Sequence, residues 1–118
     1  MNLPECIFCK IAAGQIPSTK VFESETVLAF EDIAPAAPVH ILIIPKKHIP
    51  TMNDVAAEDG ALMADILAAA RHIAKERGIA GSGYRLINNC NADGGQVVYH
   101  LHFHILGGEK LGGLIGGK

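Results

Sequence analysis

Three histidines alternate with apolar residues in segment 100–105, which reads His-Leu-His-Phe-His-Ile. The residues around them are good strand formers, so the pattern predicts a strand over 98–106. Side chains alternate between the two faces of a strand, so His100, His102 and His104 should share one face, about 6.6 to 7 Å apart. The polar face of an ordinary edge strand draws on Thr, Lys, Glu and Ser, so this row indicates a chemical role.

Three imidazoles on one face allow two kinds of chemistry, because a neutral imidazole is a metal ligand, a general base or a nucleophile. His-x-His on a strand can hold zinc with an open water position. Alternatively, one histidine attacks a substrate and its neighbours assist. The loop 89–95 precedes the row, and its Gly94-Gly95 pair permits positive φ and a nest of N–H groups for an anion. An anion beside the histidines favours phosphorus chemistry with a histidine nucleophile.

The cysteines suggest a second site. Cys6 and Cys9 form a Cys-x-x-Cys pair, while Cys90 stands alone in a loop. In a cytosolic protein such a pair is more often metal-binding or redox-active than part of a structural disulfide. The chain has no second Cys-x-x-Cys, which excludes a four-cysteine zinc site. The sequence around the pair lacks a thioredoxin-like context, which disfavours the redox alternative.

Composition narrows the class of protein. The 118 residues predict one domain, 1–118, and 49% apolar with 19% charged residues is ordinary for a globular protein. A net charge of -2 argues against nucleic-acid binding. No apolar run reaches the roughly 18 residues of a membrane span, and the first residues lack the regions of a signal peptide. We therefore expect a cytoplasmic protein that binds neither nucleic acid nor membrane.

The remaining patterns predict the elements that position these residues. They indicate a helix over 5–14, a hairpin of strands 20–23 and 26–30, a central strand 39–45, a helix from about 55 to 77 capped by Asn53 or Asp54, and a strand 84–88 before the histidine strand. This order predicts an α+β fold with an antiparallel sheet. The core should span about 5–108, followed by a flexible glycine-rich tail, 109–118.

The histidine row extends into a larger pattern. Segment 100–106 matches His-φ-His-φ-His-φ-φ, where φ is apolar, and further matching segments are Cys6-Ile7-Phe8-Cys9, Phe30-Glu31-Asp32-Ile33, Pro38-Val39-His40, Pro45-Lys46-Lys47-His48 and Asp93-Gly94-Gly95-Gln96. From about residue 5 to 108 the chain resembles the histidine triad (HIT) family, in its nucleotide-binding Hint branch. His104 stands where nucleotidyltransferases of the superfamily have glutamine, which places the chain on the hydrolase side.

The resemblance implies a fold and an activity. The fold is HIT-like, with about five antiparallel strands, a short N-terminal helix and one long helix. The activity is that of a purine nucleoside phosphoramidase, which cleaves the P–N bond of nucleoside 5'-phosphoramidates and releases AMP. By that resemblance His102 is the nucleophile that forms a nucleotidyl-histidine, His104 binds the phosphate and assists the leaving amine, and His40 joins the hydrogen-bonded group. The family implies no catalytic cofactor.

The resemblance also implies a pocket for a purine nucleotide such as AMP, GMP or a phosphoramidate. Asp32 resembles the carboxylate that accepts hydrogen bonds from the ribose hydroxyls. An apolar slot for the base would comprise Phe8, Ile11, Ile16, Phe30, Ile33 and Leu42, and the phosphate would lie among Asn89, Gly95, Gln96 and the N–H of Val97. Without the resemblance, the apolar set reads as core and Asp32 as a turn residue before Pro35. Val97 departs from the serine of well-known members.

Two further expectations come from relatives. Some bacterial members complete a Cys2His2 site whose positions here are Cys6, Cys9, His48 and His100, which implies a structural zinc; the alternative is an empty site with reduced thiols. Family members are homodimers whose sheets join into one sheet, with the long helices at the interface. Three other functions stay open: a non-catalytic nucleotide-sensing or partner-binding protein, a zinc hydrolase, and a dinucleoside polyphosphate hydrolase.

Overall fold

A computed structural model describes residues 5–114 of the chain. It contains two α-helices and five strands, which are α1 (Ile7–Ala12), β1 (Lys20–Glu23), β2 (Val27–Glu31), β3 (Val39–Pro45), α2 (Gly60–Glu76), β4 (Tyr84–Asn88) and β5 (Phe103–Gly107). Three 3₁₀ turns, at 52–54, 57–59 and 92–94, complete the order. Within the described residues, no helix combines the length and hydropathy needed to cross a bilayer. The predicted α+β class is confirmed.

The five strands form one antiparallel sheet in the order β1-β2-β3-β5-β4. The register places Leu42 of β3 between Phe30 of β2 and His104 of β5. Residues directly opposite each other share a face, so these three side chains project from the same side of the sheet. His40 lies two residues before Leu42 and shares that side. This face carries the candidate site.

The other face of the sheet is covered by α2. Its side chains Ile66, Ala69 and Ile73 are buried against strand residues such as Ile41 and Ile105. Their spacing of three and four residues produces one apolar stripe along the helix. A second, smaller cluster, centred on Phe8, Leu28 and Ile44, packs α1 against the face that carries the candidate site. The helix α2 therefore covers one face of the sheet, and the short α1 packs against part of the other.

The strand predicted over 98–106 is wrong in its first half. Segment 98–102 is irregular, and β5 begins at Phe103. The N–H of Leu101 donates to the carbonyl of Ile49 at 2.6 Å, and the fully buried ring of His100 faces the two cysteines of α1. These tertiary contacts override the alternating pattern. The expected common face for the three histidines is therefore wrong for His100.

The long helix also begins later than predicted. Thr51 and Asp54 form a reciprocal capping box at the start of a 3₁₀ turn, and a second 3₁₀ turn follows before α2 starts at Gly60. The cap expected at Asn53 or Asp54 therefore belongs to a short turn. Strands 20–23, 39–45 and 84–88 are confirmed with their predicted ends, and the second strand is displaced by one residue to Val27–Glu31.

Candidate active site

His102 is held in one tautomer by the backbone. Its Nδ1 lies 2.8 Å from the carbonyl oxygen of His100. A carbonyl only accepts, so Nδ1 carries the proton and Nε2 presents a lone pair. The side-chain amide of Asn88, at the end of β4, donates to the carbonyl of His102 at 2.9 Å and fixes the main chain there. The neutral imidazole of His102 therefore has its lone pair on Nε2, where it is available for attack.

His104 and His40 form a directed hydrogen-bonded chain. The N–H of Ala36 donates to Nδ1 of His40 at 3.0 Å, so His40 carries its proton on Nε2. That Nε2 lies 2.9 Å from Nδ1 of His104, which must accept, so the proton of neutral His104 is on its Nε2. The rings of His102 and His104 lie 5.2 Å apart between centroids. A lone pair and an N–H donor therefore stand on neighbouring imidazoles.

The charge state of His104 follows from its surroundings. Burial, together with smaller contributions from the neighbouring His102 and His40, lowers the pKa of His104 to about 4, while the carboxylate of Asp32 opposes the shift. Desolvation disfavours the charged imidazolium. The free protein therefore holds His104 neutral near pH 7.

Asp32 lies between the end of β2 and the start of β3. One carboxylate oxygen accepts the N–H of Ala34 at 2.7 Å, and the other lies 3.5 Å from Nε2 of His40. The N–H of Asp32 donates to the carbonyl of His40, which ties the loop to the start of β3. A half-buried carboxylate thus stands at the edge of the histidine group, and it retains lone pairs for a ligand's hydroxyls.

The glycine-containing loop is organised by Gln96. The side-chain amide of this buried residue donates to the carbonyls of Pro50 and Val98, and its oxygen accepts the N–H of Asn91. Its main-chain N–H donates to the carbonyl of Asn91, and the N–H of Gly95 donates to that of Ala92. These groups are engaged inside the loop, so they do not form the open nest expected from the sequence. Gly95 has a φ of 83° and supplies the left-handed turn that closes the loop.

The apolar set predicted for the base comes together with one exception. Phe8, Ile11, Phe30 and Leu42 belong to one cluster, against which Ile16 packs. These four retain 5–8% exposure, whereas Leu28 and Ile44 behind them have none, so they form the outer side of the cluster. Ile33 is 102% exposed and stands apart from the cluster.

A second group of ligand-type side chains brings α1, the loop after β3 and the segment before β5 together. It comprises Cys6, Cys9, His48 and His100, whose donor atoms all lie within 4.8 Å of one another. Nδ1 of His100 lies 3.3 Å from Sγ of Cys6 and 3.5 Å from Sγ of Cys9, and Nδ1 of His48 lies 3.3 Å from Sγ of Cys9. Tetrahedral zinc with its usual bond lengths separates sulfur and nitrogen ligands by about 3.5 Å. We call this group the metal cluster.

Tautomers show that the metal cluster fits a metal ion. Nε2 of His100 lies 2.8 Å from the carbonyl of Pro45 and must donate to it, so Nδ1 directs a lone pair at the cysteines. Asp32, His40 and His104 also place donor atoms within 4.8 Å of one another. In that group, however, Nε2 of His40 already carries a proton, because Nδ1 accepts from Ala36. The first group suits a metal, and the second suits proton transfer.

Comparison with known proteins identifies the family. The family model described as HIT domain matches residues 13–111 of the chain. The chain belongs to the HIT domain family. The family resemblance seen in the sequence is thereby confirmed.

Relatives of this HIT protein align over nearly its full length. It is 51% identical over 114 residues to the purine nucleoside phosphoramidase of Escherichia coli K12, covering 97% of this chain and 96% of the relative. A HIT family hydrolase from Legionella pneumophila has 55% identity and a TM-score of 0.90, with 92% of this chain and 96% of that one covered. A histidine triad protein from Clostridium difficile has 51% identity and a TM-score of 0.93, with 96% and 98% covered. The HIT-like fold predicted from the sequence is confirmed.

Three groups in this HIT protein were missed by the sequence-based reasoning. They are the Asn88 amide, which holds the carbonyl of His102, the Ala36 N–H, which sets the tautomer of His40, and the Pro45 carbonyl, which sets that of His100. Two of the three act through the main chain, which residue types do not reveal. Asn88 could have been found from the sequence, because it is a polar residue at the end of a predicted strand and an antiparallel pairing places that end beside the start of the histidine strand.

Proposed function

We propose that this HIT protein is a purine nucleoside phosphoramidase, which hydrolyses the P–N bond of nucleoside 5'-phosphoramidates and releases AMP. The observation that carries the proposal is the pairing of an unprotonated Nε2 on His102 with the His40–His104 chain. The Escherichia coli relative of the same name, 51% identical, supports the substrate class.

The first step forms a covalent intermediate. Nε2 of His102 attacks the α-phosphorus, a bond from that nitrogen to phosphorus forms, and the P–N bond of the substrate breaks. The leaving nitrogen needs a proton. The negative phosphate raises the proton affinity of the adjacent His104, and the protonated His104 delivers the proton from Nε2. In that form Nδ1 of His104 also carries a proton, so the Nε2–H of His40 turns to the carboxylate of Asp32, 3.5 Å away.

The second step returns the enzyme to its starting state. Water attacks the phosphorus of the nucleotidyl-histidine, the bond to Nε2 of His102 breaks, and AMP leaves. His104 takes one proton from the attacking water, and this proton replaces the one that His104 gave to the amine. The sum is one water consumed, with one AMP and one amine released, and no external cofactor enters either step.

Binding is assigned to the groups around the histidines. The Asp32 carboxylate accepts from the ribose hydroxyls, and the outer side of the apolar cluster receives the purine. The main-chain N–H of Val97 and the side chain of Asn89, which donates to the carbonyl of Gly94 at 2.8 Å, border the phosphate. The hydrogen-bonding of Gln96 and Gly95 within the loop assigns them to shaping it rather than to contacting the phosphate.

The metal cluster would hold a zinc ion through Cys6, Cys9, His48 and His100. Four protein ligands fill a tetrahedral zinc, which leaves no position for water, so the ion would cross-link three segments and supply no reaction chemistry. Burial lowers the pKa of His48, and burial lowers that of His100 to about 4, which keeps both rings neutral for ligation near pH 7.

We also propose that the protein is a homodimer, as the family resemblance implies. The side of α2 that faces away from the sheet carries Ala61, Ala64, Leu67 and Ala68, all exposed in the single chain. β4 lies at the end of the sheet, where a strand can pair with another chain. A second copy would cover both features.

The test of the activity is hydrolysis of adenosine 5'-phosphoramidate by the wild type and by His102→Ala. We expect kcat/KM to fall on the order of 10³-fold or more in the variant, because nothing else replaces the nucleophile. His72→Ala is the matched control, since His72 lies exposed on α2, away from the site. A brief reaction stopped in denaturant should show a mass increase by one nucleotidyl group in the wild type and none in His102→Ala. Turnover near the wild-type level in His102→Ala contradicts the assignment.

The same assay separates the other functions. Loss of all turnover in folded, chelator-treated protein, together with turnover by Zn²⁺-loaded His102→Ala, points to a zinc hydrolase. AMP binding without turnover in any sample points to a nucleotide-binding module. Faster hydrolysis of a diadenosine polyphosphate than of the phosphoramidate points to a dinucleoside polyphosphate hydrolase.

A further inference from the structure

The metal cluster and the catalytic histidines are linked through a single residue. The ring of His100 is fully buried and directs Nδ1 at the two cysteines. Its own main-chain carbonyl accepts the Nδ1 proton of His102 at 2.8 Å. A shift of the His100 backbone would therefore move the acceptor that fixes the tautomer and the direction of the nucleophile.

A second link runs through α1. Phe8 lies between Cys6 and Cys9 in the sequence, and its ring contacts both histidine rings edge-on. The centroid distances are 5.9 Å to His100 and 5.1 Å to His102. Phe8 is buried in the cluster that we assign to the base. Fixing the two cysteines on an ion thus fixes an aromatic ring that borders both the nucleophile and the nucleotide.

The metal cluster is also reachable from outside. Cys6 and His48 line an open groove of about 780 Å³, together with Ile7, Pro50 and Val97. The groove extends from the cluster to Val97, at the end of the glycine-containing loop. The metal cluster therefore borders open space through Cys6 and His48.

We propose that metal binding at the cluster positions the nucleophile, with His100 as a positioning residue for His102, so that metal and nucleotide bind cooperatively. The inference rests on the proposed function, because it takes the catalytic histidines as the nucleotide site. Each ligand orders the segments that the other needs, so the second to bind meets less conformational freedom. Linkage requires the coupling to be reciprocal. Typical couplings between two sites correspond to roughly 5–150-fold in affinity.

The experiment measures the affinity of the full chain for Zn²⁺ by competition with a chelating indicator, with and without saturating AMP. We expect AMP to tighten Zn²⁺ binding about fivefold or more. In the reverse titration, Zn²⁺ should tighten AMP binding by the same factor. A Cys9→Ser variant corrects for Zn²⁺ held by AMP itself or elsewhere on the protein.

The outcomes separate this inference from the proposed function. If AMP binds and the affinity for Zn²⁺ changes less than twofold, the coupling is wrong while the function stands. If AMP does not bind at all, the proposed function fails and the coupling with it. If Zn²⁺ does not bind the wild type, the inference is overturned.

Two variants at His48 test whether the ion itself carries the effect. His48→Cys retains four ligands as a Cys3His set, which is a known zinc site, whereas His48→Ala removes one. We expect coupling in His48→Cys and its loss in His48→Ala, with Cys90→Ser as a thiol control that behaves like the wild type.

Nitrogen-15 NMR of labelled histidine supplies a readout that a purely structural ion would not move. Loading Zn²⁺ should shift the Nδ1–H signal of His102, and His48→Ala should abolish that shift. An unchanged His102 signal on loading overturns the positioning role.

Discussion

The neutral state of His104 gives the stability of the protein a defined pH dependence. Burial lowers its pKa from 6.5 to about 4 in the folded chain. Between these values the unfolded chain binds more protons, so the free energy of unfolding falls as the pH drops from about 6.5 toward 4. One such group contributes a slope of at most about 1.4 kcal/mol per pH unit. Urea titrations at several pH values in this range give the free energy of unfolding as a function of pH. We expect this free energy to depend less steeply on pH for His104→Asn than for the wild type, and an equal dependence on pH would contradict the assignment.

The family resemblance implies that Val97 stands where well-known members have serine. Its side chain is 87% exposed at the end of the glycine-containing loop. A serine hydroxyl there could donate one hydrogen bond to the phosphate or leaving group, worth about 1 kcal/mol. We therefore expect Val97→Ser to raise kcat/KM up to about tenfold and to change stability by less than about 0.5 kcal/mol. Val97→Ala, which lacks the hydroxyl, is the matched control, and an equal gain in both variants would contradict the prediction.

At the residue scale, sequence reasoning could predict the groups that carry chemistry but not their tautomers. The histidine row predicted a role for His102 and His104, and the Cys-x-x-Cys pair predicted Cys6 and Cys9 as candidate ligands, whereas His48 and His100 were predicted as ligands through the family resemblance. The direction of the protons depends on the carbonyl of His100 and the N–H of Ala36, and backbone groups have no sequence signature. Gln96 is a second example, because its side chain turns inward to bind three main-chain groups.

At the scale of elements, the end of β5 is fixed against the start of β3. Gly108 has a φ of +93°, and an added Cβ would lie 2.9 Å from Cβ of Pro38, two residues before His40. An alanine there is strained in its backbone and collides with a rigid ring, which costs about 1–3 kcal/mol. We expect Gly108→Ala to be destabilised by that amount in urea and to lose turnover as His40 shifts. Gly81→Ala is the control, since its Cβ would meet nothing within 4 Å, and equal stability of the two variants would contradict the prediction.

Element prediction succeeded where periodicity and packing agree. The central strand 39–45 is apolar almost throughout and lies between two paired strands. Its predicted ends therefore agree with those in the structure. The histidine segment has the alternation of a strand, but His100 is drawn toward the cysteines of α1, which lie more than 90 positions earlier in the chain. Contacts at that separation are invisible to a local pattern.

At the scale of the whole molecule, motif order predicted more than composition did. Composition indicated only a globular chain, whereas the spacing of six short segments indicated the HIT fold that the structure has.

The glycine-rich tail, 109–118, is a different case. Arg85 of β4 donates to the carbonyls of Gly112 and Gly113, which ties part of the glycine-rich tail to the sheet. The flexibility of that tail stays a prediction, and its residues 115–118 lie outside the described part of the chain.

The assembly of two copies is the remaining prediction at this scale. Two chains of 12.5 kDa make about 25 kDa, and we expect light scattering to report that mass for the wild type. Leu67 is 53% exposed on the outer side of α2, so Leu67→Glu would place a charge inside the proposed interface. Burying an unpaired carboxylate is costly, and the mass should fall toward 12.5 kDa. Ile7→Glu is the control, because Ile7 lies on α1, which packs on the opposite face of the sheet. A mass near 12.5 kDa for the wild type, or no change in Leu67→Glu, would contradict an interface built on α2.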